Sequence, residues 1–151
     1  MEYKIVKVNH KNYSLFDDMI YWRVNGQERK PLQLHISQEI EEELSDSNLY
    51  IYAVEVETRY VGWIALIYMP KVGKYNGHGH VYIDELWIEP TYRRNGFAVE
   101  LMKYAEVIAK ERKSTGIRLY VNTNNPDAQY LYEKCGYKKS CEAYLMENDR
   151  F

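Results

Sequence analysis

Residues 89–98 read Glu-Pro-Thr-Tyr-Arg-Arg-Asn-Gly-Phe-Ala, and the period of the chain changes across them. Before them, residues 80–88 carry the β-branched and aromatic pattern of a strand. After them, Ala98, Leu101, Met102, Ala105, Ile108 and Ala109 make one apolar stripe of a long helix. A tight turn that feeds a helix start aims several backbone N–H groups at one spot, and Gly96 lets the backbone come close to whatever binds there. The turn therefore reads as an anion cradle suited to a pyrophosphate. Arg93 and Arg94 either add positive charge at its rim or stand in solvent.

Working outward toward the C-terminus, Lys110, Arg112 and Lys113 fall in the last helical turns, where the helix dipole favours cations, and Gly116 is the expected stop. Ile117, Leu119 and Val121 alternate as a strand. Strand, long helix and strand (80–88, 97–113, 117–122) form a crossover unit, which predicts that these two strands are parallel in a mostly antiparallel sheet. Asn125-Pro126 predicts a helix start that ends near Cys135-Gly136, with strand from Tyr137 through Met146.

Toward the N-terminus, residues 71–79 hold three glycines and read as a flexible loop. Residues 49–56 and 60–68 are β-branched and aromatic, with Glu57-Thr58-Arg59 between them, and form an antiparallel hairpin. Leu32, Ile36, Ile40 and Leu44 repeat every four residues as a helix with Glu41, Glu42 and Glu43 on its solvated face. Tyr13, Phe16, Ile20 and Arg23 fall at helical spacing, and residues 3–8 make a first strand. The expected order is β, α, α, β, β, β, α, β, α, β, β, within a single domain spanning 1–151.

Size and charge narrow the function. A chain of 151 residues buries roughly two thirds of its unfolded surface in one core and needs no metal or disulfide staple. A formal net charge of -2 gives no positive field to hold a nucleic-acid backbone, and no run approaches the roughly 20 apolar residues of a membrane span. Two cysteines, Cys135 and Cys141, are too few for a disulfide framework and point to a reducing cytoplasm. His78 and His80 lack further ligands at metal spacing, so no metal is expected. The partner classes left are a small molecule or a protein, and a homodimer stays open.

Residues 89–98 resemble the coenzyme A signature of the GNAT (GCN5-related N-acetyltransferase) superfamily: Arg or Gln, two variable residues, Gly, one variable residue, then Gly or Ala. Arg93, Gly96 and Ala98 supply the fixed positions. A second block, Val121 followed by residues 125–137, is similar to the family's later motif of Asn, Ala, Leu-Tyr and Gly-aromatic, with Tyr137 replacing the more usual Phe. The resemblance implies a GNAT-like α/β (α+β) fold, with a central mixed sheet of about seven strands and about four helices. Strands four and five would be parallel and splayed.

It further implies acetyl-CoA as acetyl donor, held by Leu86, Trp87 and Ile88 along the pantetheine and by Arg93, Arg94, Asn95, Gly96, Phe97 and Ala98 at the pyrophosphate. Asn125 caps its helix and contacts the cofactor, and Tyr132 contacts the sulfur and serves as general acid. The residues themselves add a hint. Ile83 and Leu86 are three apart while Leu86 and Ile88 are two apart, so alternation fails around Asp84-Glu85 and a β-bulge would resolve it. A bulge leaves an N–H that can hold a thioester carbonyl and its oxyanion.

An amine of pKa near 10.4 is free base in only about one molecule in a few thousand at pH 7. Asp84 or Glu85, directly or through water, is the candidate base. Asp17, Asp18, Asp84 and Glu85, with Tyr21, Tyr75 and Tyr82, favour a small cationic acceptor such as a polyamine or aminoglycoside. A peptide amine and a non-catalytic acyl-CoA sensor are the alternatives.

Overall fold

In a computed structural model, which describes residues 1–33 and 35–150, the chain packs as two compact units, Met1–Tyr120 and Val121–Phe151. The first unit is built on five strands: β1 (Lys4–Lys7), β2 (Leu49–Val56), β3 (Arg59–Met69), β4 (His80–Ile88) and β5 (Gly116–Leu119). They lie side by side in chain order. β1 to β4 pair antiparallel, and β5 joins β4 in parallel, as the crossover through α3 (Phe97–Glu111) requires.

Alternation along β3 sends its side chains to two faces. Trp63 and Ala65 join Val8, Met19 and Ala53 in a buried cluster capped by Leu15, Phe16 and Ile20 of α1 (Tyr13–Asn25). Ile64 and Leu66, fully buried, point the other way, toward the face that α3 covers. Of the stripe read from sequence, α3 buries Leu101, Met102, Ala105 and Ile108, leaves Ala98 and Ala109 half-buried, and adds Phe97. Each of the larger side chains, removed from water, contributes roughly 1.5–3 kcal/mol. Arg112, just past the end of α3, ties the helix to the start of β2 through Ser47 O, Tyr50 Oη and Asn48 Oδ1, each at 2.8 Å.

Several boundaries differ from the sequence reading. The second helix, α2, covers only Gln38–Leu44, because Ser37 is extended (φ -68, ψ 157) and its hydroxyl accepts from Ile40 N–H; a helix cannot run through its own N-cap. Leu34, inside the predicted span, lies outside the described residues. Gly116 does not stop α3. The helix ends at Glu111, Lys113 takes the left-handed turn (φ 52), and Gly116 opens β5. The loop at 71–79 contains a 3₁₀ turn, Tyr75–Gly77, with Asn76 left-handed.

In the second unit, α4 (Pro126–Lys134) starts as expected, its N-cap Asn125 accepting from Ala128 N–H at 3.1 Å. The predicted strand from Tyr137 onward does not form: residues 138–150 are neither helix nor strand and are exposed. A strand exists only when a partner satisfies its N–H and C=O groups, and Lys138-Lys139-Ser140 begins a stretch without the alternation that would bury one face. The sheet therefore has five strands among the described residues, not about seven.

Tyr60 of β3 is 2% exposed, and burial, aided by the Glu55 carboxylate, pushes its hydroxyl up to about 12 from the usual 10. The fold thus favours the neutral phenol: the stability is fully present below pH 10 and is lost as pH rises through 12. In an alkaline titration of unfolding free energy, the wild type is expected to lose about 2 kcal/mol more than Tyr60→Phe between pH 10 and 12. Parallel curves for the two proteins would show that Tyr60 ionisation is not linked to folding.

Candidate functional site

The site begins where a ladder stops. β5 pairs with β4 only at His80↔Gly116, Val81↔Ile117, Tyr82↔Arg118 and Ile83↔Leu119. β4 then runs on through Asp84–Ile88 with no strand on that side among the described residues. At the same point its pairing with β3 slips: Ile83 sits opposite Leu66 and Glu85 opposite Ala65, leaving Asp84 as the extra residue of a β-bulge. The bulge expected from broken alternation is present, and it has a stereochemical effect. Without it Ile83 and Glu85 would share a face. With it Ile83 is buried on the α3 side while Glu85 turns to the α1 side.

Backbone alternation settles which groups face the open edge. Glu89 N–H donates to Val61 O on β3 at 2.8 Å. Two-residue alternation then turns Trp87 toward β3 as well and points Leu86 and Ile88 the other way. Ile88 O is taken by Arg93 Nε at 2.9 Å. Leu86 and the N–H of Ile88 therefore face the side that β5 leaves open, where an extended ligand can pair with backbone.

Beyond β4, the 3₁₀ turn Pro90–Tyr92 leads to the cradle. Arg94 (φ 63) and Gly96 (φ 81) are both left-handed, and Gly96 is the N-cap of α3 with no side chain bonded to the first-turn amides. The N–H groups of Phe97, Ala98 and Val99 precede the first intrahelical bond, Glu100 N to Gly96 O. A Cβ built on Gly96 meets nothing within 4 Å, so it is the left-handed φ rather than crowding that favours glycine there. Asn95 folds back onto Tyr92 O and Arg93 O at 2.9 and 3.2 Å, which braces the turn. An uncapped helix N-terminus reached by a glycine suits a phosphate.

The parallel pairing of β4 and β5 is as expected, but β5 ends at Leu119 rather than diverging from β4, so the edge is open because the shorter strand stops. Comparison decides the family. Residues 16–137 match the profile of the Acetyltransferase (GNAT) family. The chain belongs to that family. Curated relatives include a streptothricin acetyltransferase of Escherichia coli, 40% identical over 55 residues, which is 36% of this chain and 32% of that protein. Another is an acetyltransferase of Agrobacterium fabrum, 34% identical over 65 residues, 43% of this chain and 46% of that one. The matches span about a third to a half of these relatives' length.

Among solved structures, an aminoglycoside acetyltransferase from an uncultured soil metagenomic sample superposes with TM-score 0.79 at 16% identity, covering 99% of this chain and 100% of its own. A transcriptional regulator from Bacillus halodurans C-125 gives TM-score 0.78 at 23% identity, over 97% and 100%. Identities this low establish a shared GNAT fold.

In this GNAT chain the acidic residues named as acceptor contacts are mostly engaged. Asp17 and Asp18 bind Arg29 at 2.6 and 3.0 Å, and the Arg29 guanidinium lies over the Tyr21 ring. Glu85 is paired with Arg23 of α1 at 2.9 Å. Tyr82 packs edge-on against Tyr120 where β5 ends, and burial together with Asp84 and Tyr120 raises its hydroxyl above the ordinary value. The side chain of Tyr75 lies outside the described structure. In the second unit, Asn125 is occupied as a helix cap, while Tyr132 is partly buried beside Tyr137, with burial and then Cys135 raising its hydroxyl above 10. Among the described residues no group of three His, Cys, Asp or Glu side chains could hold a metal, and no helix is long and apolar enough to cross a membrane.

Three residues around the site were missed in the sequence. Arg23 sat on an otherwise apolar helical stripe, a signal in plain view. Arg59 of β3 binds the Tyr92 hydroxyl at 2.7 Å and also bonds Glu28, between the rings of Trp22 and Tyr92, so it ties the end of α1 to the cradle. Glu89, 6% exposed, accepts from the N–H of Thr91 at 2.9 Å and from its hydroxyl, and fixes the turn that delivers Arg93 and Gly96. Glu89→Ala leaves the Thr91 N–H without this acceptor and is expected to lower unfolding free energy by about 1–3 kcal/mol in urea denaturation. An unchanged midpoint would mean that the turn holds its shape without the carboxylate.

Proposed function

We propose that this chain moves an acetyl group from acetyl-coenzyme A to the primary amine of a small cationic acceptor, by direct attack in a ternary complex without an acyl-enzyme. The observation that carries the reading is the open edge of β4 from Asp84 to Ile88, continuous in sequence with the uncapped start of α3. Backbone of Leu86 and the N–H of Ile88 would hold the pantetheine arm, with Trp87 between them turned to β3 rather than to the ligand as first expected, and residues 93–98 would hold the pyrophosphate, with Asn125 a further contact. The thioester supplies an activated acetyl group, so the protein has to position the amine, remove a proton and protonate the leaving sulfur.

Asp84 or Glu85 would take the proton, directly or through water, since both carboxylates are exposed at the bulge. Tyr132 would donate to the departing thiolate. Burial raises its hydroxyl above the ordinary value, so the phenol keeps its proton through neutral pH and is available as a donor there. The streptothricin acetyltransferase relative and the aminoglycoside acetyltransferase structures support a small amine. A peptide amine is the second reading, favoured by 36% identity over 70 residues to the catalytic subunit of an N-terminal acetyltransferase B complex of Arabidopsis thaliana, 44% of this chain and 40% of that one.

The test is release of coenzyme A thiol with spermidine, kanamycin, single amino acids and short peptides as acceptors. Release with the first two supports this reading, release with peptides alone supports the second, and release with none points to a binding module. With the best acceptor, Tyr132→Phe is expected to reduce kcat by about 10²-fold while coenzyme A affinity stays within about twofold. The alkaline fall in wild-type kcat that follows ionisation of this phenol should be centred above pH 10, because burial raises the hydroxyl from its usual value. Equal turnover in the two proteins removes Tyr132 from the mechanism.

A further inference from the structure

Arg23 donates through Nη1 to Glu85 Oε2 at 2.9 Å, a single contact between side chains that are 41% and 46% exposed. Water reaches both partners, so the pair is weak and exchangeable. What keeps Arg23 in place is a different contact. Its guanidinium lies 5.0 Å from the centroid of the Trp63 ring, and that ring is fixed between Phe16 and Trp87. The cation is thus anchored by an aromatic face independently of the carboxylate. Arg29 differs: it engages two carboxylates at once, at 2.6 and 3.0 Å, with less exposure.

We propose that Arg23 is a specificity-determining residue, an internal cation that occupies Glu85 and must yield to the ammonium of the acceptor. The proposal rests on reading Glu85 as a carboxylate that meets the acceptor amine. An incoming ammonium has to displace Arg23 from Glu85, so acceptor affinity is lowered by the strength of that pair. Polycations, which bring several charges to the same carboxylate region, displace it more readily than a lone amine does. Trp63 provides the place where the released guanidinium stays.

The test is calorimetric binding of spermidine to coenzyme A-saturated protein at low salt. Arg23→Gln is expected to tighten spermidine binding about two- to fivefold, the range that one half-exposed ion pair spans. Arg23→Met, which keeps an apolar stem over Trp63, should do the same, and Arg23→Lys should bind as the wild type does. Affinity for coenzyme A should be equal in all four proteins. Weaker or unchanged spermidine binding in both the Gln and Met variants overturns the proposal, the first because Arg23 then positions Glu85 rather than competing for it. Absence of spermidine uptake by every variant overturns it as well. Thiol release reports separately: binding that behaves as expected without release contradicts the catalytic reading and leaves the role of Arg23 standing.

Discussion

The site depends on a mismatch in length between two parallel strands. β4 has nine residues and β5 has four, so the hydrogen-bond ladder between them ends at Ile83↔Leu119. Backbone N–H and C=O groups left without a strand partner are costly unless something else satisfies them. Here that requirement lies along residues 84–88, which lead directly to a helix start with uncapped amides. An open strand edge and a helix N-terminus in sequence suit an elongated molecule with a phosphate at one end.

The bulge and the aromatic layer act on that edge. Asp84, the inserted residue, changes which face Glu85 joins, and so brings a carboxylate from the α3 side of the sheet to the α1 side. There the Trp63 and Trp87 rings, 5.3 Å apart, make a floor on which Arg23 rests. Arg59 then couples α1 to the cradle through Trp22 and Tyr92. The helix over one side of the sheet and the turn at the end of β4 are therefore linked, through ring contacts of Trp22 with Arg59 and Tyr92 and the hydrogen bond from Arg59 to Tyr92.

Much of this was legible in the residues. The apolar stripe of α3, the hairpin, the parallel crossover and the bulge all follow from periodicity, because burial on one face enforces it. The turn before α3 was readable because Gly96 stands where the strand period gives way to the helical stripe. What failed were features set by partners rather than by pattern. Residues 138–150 hold few strand-forming types beyond Tyr144 and no alternation, and a strand also needs a neighbour that no local pattern specifies. The repeat from Leu32 to Leu44 suggested a longer helix, but the Ser37 hydroxyl starts it at Gln38. The acidic residues counted as acceptor contacts were legible as types and not as pairs: Arg29 lies 11 and 12 residues from Asp18 and Asp17, and Arg23 lies 62 from Glu85, separations at which sequence carries no pairing signal.

If the β4 edge and the start of α3 receive coenzyme A through main-chain amides, titration of isotope-labelled protein with coenzyme A moves backbone amide resonances saturably at residues 86–88 and 94–99 and leaves those of β1 and β2 unmoved. Shifts confined elsewhere, or spectra unchanged at saturating ligand, would show that the ligand is not held there.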